Sequence, residues 1–143
     1  MNIAQHIALI DELCYRPFPA EHGPSDVGVS GPGRHVAVLD AAADDDPARW
    51  AVVVDQLEKE RDAVRELLAS RWGDTTPYGL QTVLLRTAHE EIPGPWAELS
   101  MRAGFAHVWE VEGTGRWVAV AVTDRDATQG PLLVALVTEI PPP

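Results

Sequence analysis

Residues 105–140 read FAHVWEVEGTGRWVAVAVTDRDATQGPLLVALVTEI. Two β-rich runs flank Gly113-Thr114-Gly115, and a third follows an eight-residue polar loop. Val, Ala, Trp and Thr broken at short intervals by turn formers predict a three-stranded antiparallel meander. If Gly113–Gly115 is a three-residue hairpin loop, Glu112 faces Arg116, Val111 faces Trp117, Trp109 faces Ala119 and His107 faces Ala121. The reverse face then carries Val108, Val118, Val120 and Val122, with Glu110 and Glu112 toward the turn. Both faces are apolar, so the sheet needs cover on two sides. A long helix supplies one cover; the N-terminal segment or another chain is expected to supply the second.

That helix starts at Asp46, an N-cap residue followed by Pro47 at the first helical position. Trp50, Val53, Val54, Leu57, Val64, Leu67, Leu68 and Trp72 recur at helical spacing, Arg61 interrupts the stripe, and Gly73 ends it. A shorter helix is predicted over 2–14, capped by Asn2, with Ile3, Ile7, Ile10 and Cys14 on one face. Another runs from Trp96 to Arg102, between Pro95 and Gly104. His35–Leu39 reads as a brief strand, and Thr82 and Val83 tilt Leu80–Thr87 toward strand. Residues 17–34 hold Pro17, Pro19, Gly23, Pro24, Gly28, Gly31, Pro32 and Gly33, and read as a loop or connector. The expected architecture is α+β, a long helix packed on an antiparallel sheet with a C-terminal three-stranded meander. A single domain over 1–143 is expected, with 1–34 a helix plus a Pro/Gly-rich arm and 35–143 the core.

Composition narrows the function classes. The chain has 143 residues, 45% of them hydrophobic, and 22 acidic against 11 basic residues give a net charge of −11. That charge disfavours nucleic acid and anionic membranes, which recruit clustered positive charge. It suits a basic protein partner. No apolar run approaches the ~18 residues of a membrane span. MNIAQHIALIDELC lacks a basic start and carries Asp11 and Glu12 where a signal core would continue, so no secretory signal is expected. The lone Cys14 can form no internal disulfide, and a cytoplasmic setting is the expectation.

The chain offers few chemical motifs. A strand followed by Asp124-Arg125-Asp126-Ala127-Thr128 resembles motif I of the haloacid-dehalogenase phosphatases. In that family the first Asp is a nucleophile and the second a general acid/base, with Mg²⁺ at the site. The resemblance covers these five residues. The family's fold carries a long α/β domain after the motif, whereas fifteen residues follow Thr128 here. A hairpin loop is therefore the expected structure. An EF-hand would need Gly and Glu where Gln129 and Ala135 stand. His89-Glu90-Glu91 lacks the second His of HExxH. His107 and Glu110 point to opposite faces of a strand and cannot chelate one ion. Asp44-Asp45-Asp46 reads as a solvated linker favouring a helix N-terminus. Cys14 reads as a small buried hydrophobe.

Of the five tryptophans, Trp96 is predicted to be partly exposed, a candidate binding anchor. The expected function is a non-enzymatic, acidic protein-binding module, such as an antitoxin-like or immunity-like neutraliser or an adaptor. No cofactor or metal is expected, and self-association is compatible with the two-faced sheet. The alternative is a small enzyme or small-molecule binder with a pocket between helix and sheet. The binding candidates across both are Trp96, Asp124, Asp126, His107 and Glu110.

Overall fold

The meander forms where it is expected, and a larger sheet is built around it. The computed structural model describes residues 2–41, 46–125 and 130–143. The fold is α+β. Among the described residues, helix α1 spans Ile3–Leu13, α2 Trp50–Trp72, α3 Leu80–Arg86 and α4 Gly94–Arg102. The strands are β1 Gly23–Pro24, β2 Gly28–Gly31, β3 Arg34–Ala41, β4 Pro77–Gly79, β5 Phe105–Val111, β6 Arg116–Thr123 and β7 Leu132–Thr138. They form one antiparallel sheet in the order β1-β2-β3-β7-β6-β5-β4.

Local chemistry accounts for most element ends. The Asn2 side chain accepts from the Gln5 amide, and the Asp46 side chain from the Ala48 amide, each capping a helix start. A 3-10 turn over Pro47–Arg49 leads into α2, and Gly73 closes it. At 23 residues α2 is long, but it is too charged to count as a span; no helix among the described residues is long and apolar enough to cross a membrane.

Three expectations are corrected. Residues 17–34 are not simply a connector, because 23–24 and 28–31 join the sheet as β1 and β2. Gly31 pairs with Arg34, leaving Pro32-Gly33 as the hairpin loop, with Gly33 at φ +76°. That is the residue order of a type II turn. Leu80–Arg86 is helix rather than strand: Leu80 and Val83 fall on one helical face, and both are buried. The β5–β6 register also differs by one residue. Val111, not Glu112, faces Arg116, and His107 faces Val120. The loop has four residues, Gly113 and Gly115 both take positive φ, and Thr114 Oγ1 donates to the Val111 carbonyl at 2.7 Å. A side chain closing the turn adds the extra loop residue, and the pairing shifts with it.

The shift settles which residues share a face. Trp109, Val111, Val118, Val120, Val122, Leu133, Ala135 and Val137 pack with Leu57, Val64 and Leu68 of α2 and with Ile10 and Leu13 of α1. Ala106, Ala119, Ala121, Leu132, Val134 and Leu136 pack on the other face with Leu80 and Val83 of α3 and Trp96 and Leu99 of α4. The sheet is thus covered twice by this chain's own helices. The second cover is α3 and α4, and the N-terminal helix lies on the same side as α2.

Candidate functional site

The sequence-predicted residues do not converge. Trp96 is fully buried, and its indole N–H donates to the Ile140 carbonyl at 2.9 Å. It is a core residue of the α3–α4 face, not an exposed anchor, because the alanine-rich face beneath it leaves room for an indole. His107 is buried against the α2 side, its ring 5.7 Å from Phe105 and 6.4 Å from Trp109. Burial, then the charges of Arg61 and Arg65, push its pKa down, so it stays neutral near pH 7. Its Nδ1 is buried and has no hydrogen-bond partner among the described residues. Glu110 points out to solvent on the opposite face. Asp124 is exposed beyond the end of β6, whereas His107 lies opposite Val120 in mid-strand. Asp126, with Thr128 of the same motif and Asp44 and Asp45 of the linker, falls outside the described residues. No group of three or more His, Cys, Asp or Glu among the described residues could hold a metal ion. Cys14 is buried, and desolvation pushes its pKa up to about 11, so it is a thiol and not a thiolate nucleophile at neutral pH.

Of these residues, Asp124 belongs to a concave feature. Trp50, Ala51, Val54, Asp55 and Glu58 of α2 and Asp124 line an open groove of about 400 Å³. Three carboxylates and the half-buried Trp50 share its walls, from segments far apart in sequence. Asp55 is tied to Lys59 at 3.1 Å.

A second cavity of about 400 Å³ lies between the segment after α1 and the β2–β3 hairpin. Its walls include Arg16, Pro17, Phe18, Asp26, Ser30 and His35. Ser30 and His35 are direct cross-strand partners and both are buried. Ser30 Oγ lies 2.7 Å from His35 Nδ1, and His35 Nε2 lies 3.2 Å from the Arg16 carbonyl. A carbonyl only accepts, so Nε2 carries the proton and Nδ1 accepts from the Ser30 hydroxyl. Burial holds the His35 pKa below the usual range, which keeps the ring in that neutral form. Phe18 lies over the imidazole at 4.9 Å, and the Arg116 guanidinium lies 4.0 Å from the Phe18 ring. Arg16 itself is held by Glu12 and Asp26. This site escaped the sequence reading because 17–34 looked structureless. The signal was present: in Ser30-Gly31-Pro32-Gly33-Arg34-His35 a Pro-Gly turn places the first and last residues opposite each other.

A third cluster joins α1, α2 and β3. His6 Nε2 lies 2.6 Å from Glu60 Oε1, and the Asp40 carboxyl also hydrogen-bonds Glu60. Glu60 is buried, and burial, then the Asp40 contact, raise its pKa against the opposing pull of His6. A raised folded-state pKa means the folded chain holds this proton more tightly than the unfolded one. Its contribution to stability is therefore present at low pH and is lost as pH rises from the ordinary carboxylate range through the raised value. Glu60→Gln is neutral throughout. The wild-type melting temperature minus that of Glu60→Gln is expected to fall across this window in a thermal-unfolding series. A difference independent of pH would show that Glu60 titrates normally.

Comparison with known protein families, with curated proteins and with solved structures finds no match to this chain.

Proposed function

We propose that this protein is an acidic protein-binding module, of the kind that neutralises or adapts a basic partner, and that the groove at the N-terminal half of α2 is its docking point. The observation carrying this is that Asp55, Glu58 and Asp124 line one groove with the half-buried Trp50, on a chain of net charge −11. Carboxylates beside an indole suit an Arg or Lys side chain, which gains an ion pair and a cation–π contact together. The overall charge would steer a basic partner toward the chain. Trp50 takes the anchor role that burial denies to Trp96.

Affinity capture from the native host at low and high salt identifies the partner, and association kinetics then test the site. The on-rate is expected to fall steeply with added salt. Glu58→Lys with Asp124→Lys is expected to slow association by about tenfold or more, within the range that electrostatic steering controls. Salt-independent association, or a rate untouched by charge reversal, would remove the groove from the interface.

A second reading rests on a separate observation. The Arg16–His35 cavity has mostly apolar walls and a polar pair at one side, the usual form of a small-molecule site. In this reading the chain binds a small ligand, and the pocket lies between the N-terminal segment and the sheet.

A further inference from the structure

We propose that Ser30 is a nucleophile activated by His35, and that the Arg16–Phe18 cavity admits small neutral carboxylic esters to it. The inference rests on the small-molecule reading of this cavity and is independent of docking at α2, whose groove shares no residue with it. Three observations converge. A serine hydroxyl and an imidazole nitrogen stand at hydrogen-bond distance, 2.7 Å. The far nitrogen of the same ring donates to a fixed main-chain carbonyl, which sets the tautomer and aims the bare nitrogen at the hydroxyl. Both side chains line one cavity of about 400 Å³, large enough for a small ligand.

The cavity's chemistry defines the substrate class. Pro17, Phe18, Pro19 and Pro24 supply apolar walls, so a compact acyl or aryl group fits. Arg16 is already paired with Glu12 and Asp26, and Glu21 adds a further carboxylate to the lining. Arg116, 4.0 Å from the Phe18 ring, offsets part of that negative charge and also acts on His35, so the apolar walls are what favour a neutral ester. In the reaction Ser30 Oγ attacks the ester carbonyl carbon as its proton passes to His35 Nδ1. The bond to the leaving oxygen breaks, and that oxygen takes the proton from His35. Water then attacks the acyl-serine, giving one proton to His35 and restoring the hydroxyl as the carboxylic acid leaves. The lowered pKa of His35 keeps it a base below the ordinary histidine range.

The test treats the purified full chain with an alkyl fluorophosphonate, followed by intact-mass measurement and peptide mapping, and in parallel with p-nitrophenyl acetate. One phosphonyl group is expected, on Ser30. Release of p-nitrophenol is expected to lose its catalysed component in Ser30→Ala and to fall about 100-fold in His35→Gln, the scale of a lost general base. The rate is expected to rise with pH along a single ionisation below the ordinary histidine pKa. The labelling arm uses the unaltered chain, so it holds even if a variant misfolds. A folded wild-type chain that takes no phosphonyl group on Ser30, or ester cleavage that persists in Ser30→Ala, overturns the proposal.

Discussion

Trp96→Ala is expected to destabilise the protein by about 3–5 kcal/mol, the range for emptying a buried indole site. Trp96 has no exposed surface and belongs to the cluster formed by α3, α4 and the alanine-rich face of the sheet. Its ring meets Tyr78 edge-on at 6.1 Å, and the Tyr78 hydroxyl in turn donates to the Pro143 carbonyl. The indole N–H donates to Ile140, so truncation also strands a backbone acceptor. Neighbouring Ala106, Ala119 and Ala121 are too short to fill the space. Trp96→Phe separates the two contributions: it keeps most of the apolar surface and loses the hydrogen bond, for an expected loss of about 1–2 kcal/mol from the bond and partial packing. Chemical denaturation followed by circular dichroism measures both. A loss below about 0.5 kcal/mol for Trp96→Ala would be the value for a surface site, and would return Trp96 to the exposed anchor that its Gly-Pro surroundings suggest.

That mismatch shows where local sequence loses its hold. The segments legible in advance carry their own signals. In α2 these are Asp46 and Pro47 at the start, apolar residues at helical spacing and Gly73 at the end. In β6 and β7 unbroken apolar runs match strands buried on both faces. Where the outcome depends on a remote partner, local pattern misleads. Trp96 sits between proline and glycine, which marks a surface helix, yet a sheet face built of alanines draws it inward. The β-branched Thr82 and Val83 favour a strand, but Leu80 and Val83 together reach the core by forming a helix turn. The short β2 exists because β3 offers it a paired edge and β1 because β2 does in turn; the Pro32-Gly33 turn marks the hairpin, but the Gly/Pro content of 17–34 hides the strands beside it. The candidate sites follow the same rule. Asp124 was visible as part of a motif, but its groove needs Trp50, Asp55 and Glu58, which only the packing of α2 brings alongside. His107 and Glu110 were correctly placed on opposite faces, because strand alternation is local.

Arg116 carries the largest effect with no local sign at all, and Arg116→Ala is expected to lower stability by about 2–4 kcal/mol, less than the sum of two charged hydrogen bonds because losses at one site do not add. Its spacing from Glu112 suggests a cross-turn ion pair. The four-residue loop instead sets it opposite Val111, and its Nη1 donates to the carbonyls of Leu13 and Arg16, each at 2.6 Å. Leu13 is the last residue of α1, so the guanidinium sits at the negative end of that helix and satisfies a carbonyl the helix leaves open. The same group lies over Phe18, which covers His35. One side chain from the meander therefore holds the end of α1, the following segment and the roof of the Ser30–His35 cavity. Arg116→Lys keeps the charge but not the planar stack on Phe18 or the geometry that spans two carbonyls, and is expected to recover about half of the loss. Hydrogen exchange gives the decisive readout. In Arg116→Ala the amides of residues 15–31 are expected to exchange faster at a denaturant concentration where α2 and β7 remain protected. Unchanged exchange in 15–31, with a stability loss under about 0.5 kcal/mol, the scale of an ordinary surface substitution, would mean that Phe18 and the β2–β3 hairpin hold the segment without the arginine.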